Sequence, residues 1–193
     1  MVDLAEIQAA YYMVAATGVL VAAVYYIMNI RTTQRNMRQT LETRQADILH
    51  RHAQINASKD FMEAWADVVT QQNFLTYEEW RQNYGPYKSP PVAYSNLIMV
   101  VQYYEILAGL LREKLVTMEM IRSIWQPIHL VLVWERVEPV IKGWREVYHD
   151  DSMYRNFEWL FNRFMELNPE SSLILSVLRE QRIKMHDRPG QPP

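Results

Sequence analysis

The sequence predicts an all-α protein. An N-terminal transmembrane helix continues into a long juxtamembrane helix, and a cytoplasmic multi-helix bundle follows. Three observations predict it. Residues 9–30, AAYYMVAATGVLVAAVYYIMNI, form an uncharged run of twenty-two. Residues 92–114, VAYSNLIMVVQYYEILAGLLREK, repeat large apolar side chains at helical spacing. Only five glycines occur in 193 residues, and alternating β-branched stretches are scarce.

The first eight residues form a short extracytoplasmic N-terminus. A helix over 9–30 rises roughly 33 Å, enough for a hydrocarbon core of about 30 Å. Tyr11 and Tyr12 at one end and Tyr25 and Tyr26 at the other fit the two aromatic belts. Asp3 and Glu6 precede the run, whereas Arg31, Arg35, Arg38, Arg44 and Arg51 follow it against Glu42 and Asp47. The positive-inside rule therefore places the C-terminal side in the cytoplasm and the N-terminus outside, at the inner (plasma) membrane. A cleaved signal peptide would carry its positive charge before the run. Anionic lipid headgroups are the expected partners of the arginine collar. Ala15, Gly18 and Ala22 form a small-residue stripe, the kind of face through which membrane helices self-associate.

From Arg31 to Thr70 there is no proline or glycine, so one nearly unbroken juxtamembrane helix is expected over 31–70. Leu41, Ile48, Ile55, Met62 and Val69 recur every seven residues, but Gln45, His52 and Lys59 fill the second heptad position. That half-seam suits a helix lying on its own domain, or a loose bundle of protomers.

The helical domain is expected over 71–186. Thr76 with Glu79 three residues later reads as a capping box for a short helix. Asn83 to Pro91 reads as a loop. In the helix 92–114, Leu97, Val100, Val101, Tyr104, Leu107 and Leu111 share the core-facing side. Thr117 caps a helix to about Gln126. Pro127 opens the next one, and Pro139 opens or kinks another. Asp151 or Ser152 caps a helix to about Leu167, and the last helix runs from about Glu170 to His186. Residues 187–193, DRPGQPP, read as a disordered tail.

The organisation resembles the prokaryotic family grouped as domain of unknown function 4760. The matching stretches are YYIMNIRTTQRNMRQTLETRQADI (25–48), FMEAWADVV (61–69), VVQYYEILAGLLREKLV (100–116) and WERVEPVIKGWREVY (134–148). The resemblance implies a membrane helix, an arginine-containing juxtamembrane helix and a cytoplasmic helical domain. It implies no activity and no functional residue.

Chemistry is sparse. No cysteine is present, which excludes disulfides and thiolate metal sites. His50 and His52 point about 200° apart on a helix and cannot share a metal. His149 beside Asp150 and Asp151 offers an imidazole with carboxylates, yet the position also suits helix capping. Glu105 lies in the most apolar helix of the domain and needs a partner: Arg112, Arg136, Arg145 or a tyrosine hydroxyl if structural, a ligand otherwise. Trp65, Trp80, Trp125, Trp134, Trp144 and Trp159 read as core before pocket. No phosphate loop or nucleophile motif occurs, and no extended basic face suggests nucleic acid. No catalytic residue, cofactor or metal is assigned.

These observations describe a membrane-anchored, non-enzymatic interaction, scaffold or sensor module with an unknown protein partner. Two alternatives stand beside it. One is a homo-oligomeric single-pass membrane effector or pore. The other is an enzyme acting near the bilayer through Glu105 or His149.

Overall fold

The structure, a computed structural model, describes residues 3–87, 91–124 and 126–186. Among them every regular element is helical. Trp125, Lys88 to Pro90 of the expected loop, and the expected tail at 187–193 lie outside the described residues. The chain divides into two compact units, residues 1–47 and 48–193.

The first unit is helix α1 (Leu4–Asn56) as far as residue 47. Every residue from 3 to 44 is solvent-exposed, including the whole apolar run. Thr17 turns its hydroxyl back onto the Met13 carbonyl at 2.8 Å, satisfying that polar group within the helix. By length and composition α1 is able to cross a membrane, which is consistent with an anchor or a signal sequence.

The second unit begins with the last turns of α1. The expected helix to Thr70 instead stops at Asn56 and restarts as α2 (Lys59–Ala66). No proline or glycine is needed for this. Ser58 turns its backbone N–H onto the Ile55 carbonyl at 3.0 Å, and its hydroxyl accepts from the Phe61 N–H at 3.2 Å, capping the new helix. The turn resets the helical phase. Phe61, Ala64 and Val68 become the buried stripe, while Leu41, Ile55 and Met62 of the heptad pattern stay exposed. Of that pattern only Ile48 and Val69 pack on the core.

Residues Asp67–Gln71 widen into a π turn closed by the Gln72 N–H on the Asp67 carbonyl at 3.0 Å. Helix α3 (Tyr77–Tyr84) starts at Thr76, whose hydroxyl accepts from the Glu79 N–H at 3.2 Å. Glu79 reaches one residue further back than a capping box requires and accepts from the Leu75 N–H at 2.8 Å. Helix α4 (Val92–Arg112) packs against α2 and against α7 (Arg155–Leu167). Thr117 caps the short α5 (Met118–Ile124) through the Met120 N–H at 3.2 Å. Helix α6 (Pro127–Tyr148) continues past Pro139 without ending and contacts α3, α7 and α8 (Ser171–His186).

The core lies where α4, α6 and α7 meet. Tyr104 stacks on Phe157 at 5.0 Å, Trp134 stacks on Phe161 at 5.2 Å, and Trp80 meets Trp144 edge-on at 5.4 Å. These tryptophans are core, as the aromatic spacing predicts. Gly143 is required at the crossing of α3 and α6, because a Cβ there would run into the Tyr77 ring.

Candidate functional site

The residues singled out by sequence fall in four separate places. Arg31, Arg35 and Arg38 are exposed on α1 and lie within about 60° of one another around the axis. Arg38 is paired with Glu42 at 3.0 Å. Ala15, Gly18 and Ala22 are exposed on the same helix, and nothing lies within 4 Å of where a Gly18 side chain would start.

Glu105 is half-buried, and its partners among the described residues are at the start of α7 rather than on an arginine. Its Oε2 accepts the Phe157 N–H at 2.8 Å, and its Oε1 accepts from the Asn156 side-chain amide at 2.9 Å. It thus caps α7 from α4. Asp151 and Ser152, the expected caps, do not do so, because Tyr154 enters α7 with a left-handed backbone and no side-chain cap. An anionic carboxylate at a helix N-terminus is stabilised by the free N–H groups and the macrodipole. Arg112 is exposed and joins the network through its Nη1, which donates to the Asn156 side-chain Oδ1 at 3.0 Å.

His149 ends α6 in a left-handed conformation, where its N–H caps the Arg145 carbonyl. Asp150 accepts from the Ser152 N–H at 2.8 Å, and the Ser152 hydroxyl and N–H hold its carboxyl below the usual range. These residues and Asp151 are exposed and build a turn. Glu105 and His149 therefore do not converge, and the enzymatic alternative gains no support from them.

Sequence reading missed the buried polar groups. On α6, Glu135 and Arg136 are 4% and 8% exposed. The Arg136 Nη2 donates to the Val69 carbonyl of the π turn at 3.1 Å, whereas its Nε and Nη1 have no hydrogen-bond partner among the described residues. Burial pushes the Arg136 value down; Glu135 opposes that shift and Arg182 adds to it. Arg182 of α8 sits on Glu135 with its Nε 3.2 Å from Oε1. Just after the π turn, buried Gln72 bridges the Asp67 carboxylate and the Ala93 carbonyl, both at 2.9 Å, and accepts from the Trp80 indole at 3.3 Å. The one sequence signal for this cluster was a charged pair inside an apolar helical stretch, Trp134-Glu135-Arg136-Val137. A separate aromatic group joins His52 to Tyr103 at 5.6 Å and His129 to Trp65 at 4.9 Å. Burial lowers both histidines and pushes the Tyr103 hydroxyl up to about 12.

No curated protein and no solved structure matches the chain. A protein family described as Domain of unknown function (DUF4760) matches residues 12–164, from the apolar run to the last turn of α7. That span covers most of the chain and confirms the resemblance seen in the sequence: the protein belongs to the DUF4760 family.

Proposed function

We propose that this chain is a membrane-anchored interaction or sensor module. Residues 9–30 cross the inner (plasma) membrane with the N-terminus outside, and the helical domain presents a protein-binding surface on the cytoplasmic side. The observation that carries this reading is the apolar run itself: it is exposed along its whole length and flanked by arginines on one side only. An uncovered apolar helix of this length has no stable place in water. Arg31, Arg35 and Arg38 then meet anionic headgroups as the helix leaves the bilayer.

Since the chain has no cysteine, single-cysteine variants give a clean test. In intact cells an impermeant maleimide should label Asp3→Cys and spare Glu42→Cys, with both labelled after permeabilisation. The reverse pattern overturns the orientation. Release of the protein from membranes by alkaline carbonate overturns the anchor.

A second reading, a homo-oligomeric membrane effector, rests on the open face at Ala15, Gly18 and Ala22. It requires a defined oligomer that Gly18→Ile disrupts. A monomer both in mild detergent and in nanodiscs eliminates it.

A further inference from the structure

Helix α8 is held differently from the rest of the domain. It turns one stripe inward: Ser171, Leu175, Leu178 and Arg182, at intervals of four, three and four residues. Ser171 is buried, and the two leucines pack on the core. Its outer side is at least as apolar, with Leu173, Ile174, Val177 and Ile183 between 40% and 70% exposed. Apolar burial therefore gives this helix little preference for its present seat.

Ionic contacts supply the specificity. Arg179 meets Glu138 at 2.8 Å, and the His186 ring lies 3.4 Å from Glu79, a pair that is ionic only while the histidine is protonated. At the centre is a socket built around Pro139. Proline has no N–H, so the Glu135 carbonyl one turn earlier loses its helical donor. The Arg182 Nη1 supplies that donor at 2.8 Å, while its Nε lies 3.2 Å from the Glu135 carboxylate in an ion pair without a hydrogen bond. One residue of α6 thus meets one guanidinium through a freed carbonyl and a carboxylate charge. A lysine ammonium, a point charge on a flexible stem, does not present two nitrogens in this fixed plane. The socket lies within the family match, which ends at residue 164, before its occupant begins.

We propose that this socket is a docking site for a basic amphipathic helix of a partner protein, read through an arginine, and that α8 fills it in cis until displaced. Buried Glu135, and Glu138 on the oxygen that Lys142 leaves to Arg179, favour a basic partner, and the inward stripe of α8 shows its form. The proposal rests on the domain's being an interaction module. It does not depend on which way the anchor is oriented.

The test uses the full chain in mild detergent, with a fluorescent synthetic peptide of residues 169–186 as probe. In the wild-type chain, amides of α8 should exchange at least about tenfold faster than those of α4 and α6, since a displaceable helix opens without global unfolding. The peptide should bind the Arg182→Ala chain at least about tenfold more tightly than wild type, because the resident helix no longer competes. Binding should fall by a similar factor for a peptide carrying Arg182→Lys, and when Glu135→Gln is added to the chain. The proposal fails if α8 exchanges only as fast as α4 and α6, or if the peptide binds neither chain or both equally. It also fails if wild type forms a dimer that Glu135→Gln abolishes, since the occupant is then a second copy. An inverted topology changes none of these outcomes.

Discussion

Two apolar helical runs of nearly equal length sit in this chain, residues 9–30 and α4, and they meet opposite environments. α4 buries Leu97, Val100, Val101, Tyr103, Tyr104, Leu107 and Ala108 and keeps Ser95 and Gln102 outside. The run in α1 buries nothing. Apolar content separates them in part, since among the described helices only α1 is apolar enough to span a membrane; its distribution around the axis does the rest. A helix apolar on one side has a core to face and a side for water. A helix apolar all round asks for a solvent that is apolar all round.

The sharpest way to break this comparison is to truncate one leucine in each run. Leu107 is 1% exposed and Leu20 is 65% exposed. Leu107→Ala should cost about 2–5 kcal/mol in denaturant unfolding of the domain. Leu20→Ala should change it by no more than about 0.5 kcal/mol. Equal losses would mean that the run is part of the domain core.

The glycines give a second contrast, of intermediate size, made by adding an atom rather than removing several. Gly143→Ala pushes a methyl into the Tyr77 ring and should destabilise by about 1–3 kcal/mol. Gly18→Ala meets nothing. It should leave the unfolding of the domain unchanged and raise the helicity of α1. A loss of domain stability in the Gly18 variant would show that α1 is packed there.

The capping of α7 comes next in size. Glu105→Gln keeps an acceptor but removes the charge beside the helix N-terminus, and should cost about 1 kcal/mol by chemical denaturation. Glu105→Ala leaves the Phe157 N–H and the Asn156 amide without their acceptor, and should cost more. If both variants are neutral, the network carries no stability.

Glu105 also marks the limit of what was legible. Local signals were read well where cause and effect lie within one turn. Thr76 and Thr117 cap their helices, Pro127 opens α6, and the α4 core face contains Leu97, Val100, Val101, Tyr104 and Leu107. Readings failed where the partner is distant in sequence. The cap of α7 comes from a residue fifty-one positions earlier, and Pro139 opens no new helix but stays inside α6, where Arg182 serves the carbonyl it frees. The break at Asn56 is local, yet one serine among many polar residues gives too weak a signal. The half-seam failed with it, because a heptad pattern has meaning only while the helix keeps its phase.

The smallest expected effect is an acid-side slope in stability, and two histidines of α1 separate its causes. His52 is buried against Tyr103, and its Nδ1 has no partner among the described residues; His50, two residues before it, is exposed. Burial holds His52 and His129 below the ordinary value of 6.5, so the folded domain prefers both neutral. Below 6.5 the unfolded chain takes up protons that the folded chain resists. The stabilisation is therefore complete above 6.5 and is lost as pH falls through the folded-state values. Melting temperatures from about pH 8 to about pH 5 should be flat and then decline. His52→Gln should make the decline shallower, with the remainder due to His129, whereas His50→Gln should leave it unchanged. If the two glutamine variants behave alike, burial of the His52 ring is not what sets the slope, and the carboxylates become its source.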